Sequence, residues 1–119
     1  MNRNELSKRV RHACAGLLSE KGYIAPVDLF MRIGMLTIED YERWRRQQVP
    51  YLEKVLRGNL GRCAFVMKEL RSFGVQNALK PSQTAYVAWG KGPKKRLVFS
   101  KFRNANVEKW YSTHFVKRG

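Results

Sequence analysis

Acidic residues nearly vanish from the last fifty positions of this 119-residue sequence, where Glu108 is the only one. Eleven Lys and Arg occupy that stretch, whereas residues 1–69 hold thirteen against eight acids. With so few carboxylates to neutralise it, the C-terminal part attracts polyanions by releasing their condensed counterions. Histidine is scarce too: His12 and His114 stand at opposite ends of the chain. The two cysteines, Cys14 and Cys63, share no Cys-x-x-Cys or Cys/His spacing, so no metal site is expected. Each lies among apolar residues of a helix and reads as a buried free thiol. Asp-x-Asp and Glu-x-Lys patterns are missing near the basic third, which argues against a metal-dependent nuclease. Gly90-Lys91-Gly92-Pro93 lacks the helix and the Lys-Ser/Thr pair of a phosphate-binding loop, and no cofactor is expected. No apolar run approaches membrane-spanning length. The N-terminal helix, with Lys8, Arg9, Arg11 and His12, is too charged for a signal-peptide core. A cytoplasmic protein with no membrane partner is the expectation.

What the chain does have is a core. Hydrophobic residues make up 44% and aromatics 12%, more than a disordered basic tail carries. One domain over 1–119 is expected, large enough to fold without metal or disulfide. The net charge of +15 therefore decorates a folded body.

Apolar spacing predicts a helix over 4–21, and Pro26 suits the first turn of a short helix to Ile33. Thr37 and Asp40 resemble a capping box for a helix from Ile38 to about Gln48. Pro50 precedes a short helix over 51–57. The clearest stripe, Leu60, Cys63, Met67, Leu70 and Phe73, predicts a helix over 60–73 ending at Gly74, with all five buried and Arg62 and Arg71 outside. Thr84–Trp89 and Arg96–Ser100 are rich in β-branched and aromatic residues around Gly90 and Gly92-Pro93, which predicts a β-hairpin. Asn106 is the expected cap of a last helix, with 113–117 open to either helix or strand.

The hairpin turn would carry Lys91, Lys94, Lys95 and Arg96 on a rigid support, a cheap way to contact phosphates. Lys101 and Arg103 extend that cluster. The segment from Ile33 to Trp44, with its glycine turn, hydroxyl cap and Arg43-Trp44 pair, resembles a helix-turn-helix. It departs from that pattern at Asp40, where a core aliphatic belongs. Glu39, Asp40 and Glu42 also crowd the end that would approach the major groove. Capping at the helix dipole explains those acids more simply. A second αα-hairpin, 50–73, would expose Arg62, Lys68 and Arg71. Trp110, Tyr111 and Phe115 interleave with Lys109, Lys117 and Arg118, and would stack unpaired bases if exposed.

The sequence thus predicts an α+β fold: four or five helices packed with a C-terminal basic β-hairpin, winged-helix-like in outline. The expected function is a non-enzymatic nucleic-acid-binding protein, with double-stranded DNA placed ahead of RNA and a homodimer as an option offered by unpaired strand edges. Its contacts would be Lys91, Lys94, Lys95, Arg96, Lys101, Arg103, Arg62, Lys68 and Arg71, with no catalytic residues. The alternatives are a small metal-independent, toxin-like ribonuclease using His114 as general acid or base, and a protein- or small-molecule-binding module.

Overall fold

Four of the helices expected in the N-terminal two thirds form, with ends shifted by up to three residues. The computed structural model describes residues 2–118. It contains α1 (Arg3–Lys21), β1 (Tyr23–Ile24), α2 (Pro26–Arg32), α3 (Ile38–Arg45), a 3-10 turn (Leu52–Lys54), α4 (Leu60–Gln76), β2 (Lys80–Gln83), α5 (Ala105–Ser112) and β3 (Thr113–Val116). The fold is α+β: five helices with a small antiparallel sheet in the order β1-β3-β2.

The caps are local chemistry. Asn2 accepts from the Glu5 amide, Thr37 from Asp40 and Asn59 from Arg62, each satisfying an orphan N–H of a first turn. Asn104, not Asn106, caps α5, accepting from the Asn106 and Val107 amides. α1 packs on α4, and Leu6, Val10 and Leu17 share one continuous core with Val66, Met67 and Leu70. Arg11 joins them at the rim, pairing with Glu69 at 3.2 Å and donating to Gln76 at 2.6 Å. Cys14 and Cys63 are both buried free thiols, and burial pushes them up to about 12 and about 11 respectively. Both are therefore protonated packing groups.

Four expectations are corrected. α4 does not stop at Gly74 but runs to Gln76. Gly74 serves close approach instead: a Cβ there would lie 2.6 Å from the Phe115 ring, so β3 can cross the helix only over glycine. Leu60, expected in the core, is 65% exposed at the first residue of the helix, and Arg62 and Arg71 are half-buried. Residues 51–57 form no helix beyond the three-residue 3-10 turn, whose Leu52 and Glu53 amides bond to the carbonyls of Val98 and Phe99. The αα-hairpin built on that helix goes with it.

The fourth concerns residues 84–100. No named strand forms in either run; a single antiparallel bridge, Val87–Arg96, is flanked by two bonds, Ala88 N–H to Lys95 and Leu97 N–H to Tyr86. Beyond it the backbone groups are committed elsewhere. Trp89 donates to the Arg45 carbonyl, Trp44 Nε1 donates to Val98, and Phe99 and Ser100 donate to the Glu108 carboxylate. The sheet is made instead from β1, β2 and β3, of which β3 realises the strand option for 113–117 and only β2 lacks strand-like residues. β2, Lys80-Pro-Ser-Gln83, is exposed throughout and lies at the sheet edge, where a proline without an N–H is tolerated.

Candidate nucleic-acid interface

The 84–100 segment is anchored by rings. Trp44, fully buried, packs against Tyr86 at 5.5 Å and Phe99 at 5.2 Å, and Phe99 stacks on Tyr111 at 5.2 Å. Tyr111 continues to Phe30 of α2, and its hydroxyl donates to Glu53 at 2.8 Å. Burial, followed by that bond, raises the Tyr111 hydroxyl well above its ordinary range, so it stays a donor.

Glu108 fastens the far end. Its two oxygens accept from the Phe99 and Ser100 amides and the Ser100 hydroxyl at 2.7–2.9 Å. The sole carboxylate of the last fifty residues is therefore turned inward onto backbone. The four ion pairs among the described residues all lie between Arg11 and Glu69: Arg11–Glu69, Lys21–Asp28, Arg32–Glu20 and Arg43–Asp40.

The tip of the loop projects from this anchor. Lys91, Lys94, Lys95 and Arg96 are all exposed, and Gly90 and Gly92 take φ of +111° and +103°, values that side-chain-bearing residues rarely adopt. Lys94 donates to the Gly90 carbonyl at 2.9 Å, closing the turn. Arg96 and Arg103 meet Lys109 around one cavity of about 460 Å³ beside α5. Across α5, Lys68, Arg71 and Arg3 line another of about 370 Å³, where Arg71 lies over the Trp110 ring at 4.8 Å. Lys101 lines an adjoining groove of about 640 Å³ with Lys54 and Phe102. Arg62 lines a smaller pocket with Arg3. The predicted contacts thus fall in four places: the loop tip, the Arg96–Arg103 cavity, the grooves between α4 and α5, and, for Arg62, a pocket between α1 and α4.

The three C-terminal aromatics separate. Tyr111 and Phe115 are core, and Trp110 is 42% exposed. Phe102, unremarked in the sequence, is 85% exposed between Lys101 and Arg103. Its place in Lys-Phe-Arg-Asn, just before a helix cap, was the available signal. Of the α3 cations, Arg43 is exposed and pairs with Asp40, whereas Arg45 lies over Tyr86 and Trp89 at 5.3 and 4.9 Å.

His114 sits apart on β3, stacked on Tyr23 at 5.5 Å, with Nε2 3.3 Å from the Tyr86 hydroxyl. Tyr111 does not join it, being packed on Phe30 and Phe99. Burial holds His114 below its ordinary pKa of 6.5, opposed by the charge of Asp28. A depressed folded value means that the unfolded chain takes up the proton first. Its contribution to stability is complete above about pH 6.5 and declines as pH falls toward the folded value. Wild type should therefore lose more melting temperature than a His114→Asn variant between about pH 7 and about pH 5.5. Parallel losses would show that the histidine contributes nothing.

Compared with known proteins, the chain matches no family model, no curated protein and no solved structure. Among the described residues no helix is long and apolar enough to cross a membrane.

Proposed function

We infer that the protein binds nucleic acid through phosphate contacts and catalyses no reaction on it. The observation that carries this is the charge of the 91–103 region: six exposed cations, with the one acidic side chain after residue 69 spent largely on backbone amides. Lysines and arginines on an anchored loop meet phosphates with little ordering cost, the service a wing performs in winged-helix proteins. The non-enzymatic reading is supported by the separation of His114 from Tyr111. The group that does touch the imidazole, the Tyr86 hydroxyl at 3.3 Å, is kept protonated by burial and so makes a poor second proton acceptor.

The test is anisotropy of labelled DNA and RNA oligonucleotides across salt concentrations. Lys94→Ala with Lys95→Ala should leave folding intact and make the salt dependence shallower, by about one unit of slope per lost phosphate contact. An unchanged slope would remove the loop from the interface. Failure of every oligonucleotide to bind at about 50 mM salt would reject the reading altogether.

A further inference from the structure

The two grooves between α4 and α5 are one feature. Both are lined by Glu53, Leu60, Ala64 and Val107, so the 640 Å³ groove holding Phe102 runs into the 370 Å³ groove holding Trp110. Leu60, anomalous as an exposed leucine, is where they join. An aromatic ring stands at each end, and each has a cation over its face: Lys101 at 5.4 Å from the Phe102 centroid, Arg71 at 4.8 Å from that of Trp110. Lys54 and Lys68 complete the rim. Among the described residues Glu53 is the only acid lining either groove, and it accepts from the buried Tyr111 hydroxyl. No carboxylate among the described residues pairs with Arg71, whose Nη1 has no hydrogen-bond acceptor.

We propose that this groove binds single-stranded nucleic acid, stacking unpaired bases on Phe102 and Trp110 while the rim cations take the intervening phosphates. The inference rests on the nucleic-acid reading above and names the form of the ligand. A duplex hides its base faces, so phosphate contact alone gives no reason to hold a phenylalanine 85% in water. A single strand offers a π-face at every nucleotide, and rings interleaved with cations in a basic groove are the arrangement that captures it irrespective of sequence. An acidic amphipathic helix would share the charge complementarity, but it needs no flat faces at the two ends.

The experiment compares the whole protein's affinity for oligo-dT and oligo-U of about twenty nucleotides with that for a duplex of equal length, at fixed salt. Single strands should bind more tightly. Phe102→Leu and Trp110→Leu, which keep apolar bulk and remove the flat face, should each weaken single-strand binding roughly tenfold with duplex binding nearly unchanged. Phe102→Trp should restore or tighten it, a response that a merely structural role would not give. Phe102 packs so little that its variants threaten folding least.

Equal affinity for both forms, indifferent to Phe102→Leu, would overturn the proposal and leave phosphate binding standing. Binding of neither form would overturn both. Capture of a Glu-rich amphipathic helical peptide that is lost on Phe102→Leu, with no oligonucleotide bound, would overturn it in favour of a protein partner.

Discussion

Trp44→Ala should destabilise the protein by about 3–5 kcal/mol, the range for deleting a large buried aromatic. The indole is fully buried, so its removal leaves a cavity that the surrounding rings of Tyr86 and Phe99 cannot collapse to fill without leaving their own partners. It also strips the Val98 carbonyl of the Nε1 donor at 2.9 Å. That bond is one of the few tethers between α3 and the 84–100 segment, so the loss should be shared between the core and the basic loop. Denaturant unfolding measures the first, and amide exchange at Val98 to Ser100 measures the second. A loss under about 1 kcal/mol would mean that Trp44 sits at a collapsible edge of the core.

Glu108→Ala should have the next largest effect, roughly 1.5–3 kcal/mol, as befits a charged acceptor serving partly buried donors. Two amides and a hydroxyl at Phe99 and Ser100 lose their partner together. The variant also raises net charge and releases the anchor of Lys101 and Arg103. Oligonucleotide affinity should then shift in two opposed ways: more attraction, less preorganisation. Glu108→Gln separates them, because the amide oxygen retains one acceptor while the charge is gone. If Glu108→Ala unfolds no more easily than wild type, the carboxylate is not the clamp described above.

Much of the helical part was legible because its determinants are neighbours in sequence. Asn59 caps α4 through the Arg62 amide three residues on, and Cys63, Met67, Leu70 and Phe73 recur on one face whatever lies opposite. The same reasoning misplaced Leu60, which has the right period but stands at the first helical residue, beyond the reach of α1. The site was half legible. Charge is a property of composition, so the cluster from Lys91 to Arg103 could be named, whereas Phe102 had only its place in Lys-Phe-Arg-Asn as a signal and the inward turn of Glu108 had none.

The sequence alone determined the period of the longer helices, the Thr37 cap of α3, the two unpaired thiols and the concentration of positive charge after residue 70. Each follows from spacing or composition over a few residues. Only the tertiary structure decided which strands pair, that the most strand-like run, 84–100, keeps a single bridge, and that Lys80-Pro-Ser-Gln83 becomes an edge strand beside β3. It also decided that an α4/α5 groove joins Phe102 to Trp110. Backbone donors go to whichever acceptors the packed helices bring within reach, and that competition is settled by contacts distant in sequence: Trp44 with Val98, Leu52 with Val98, Glu108 with Phe99.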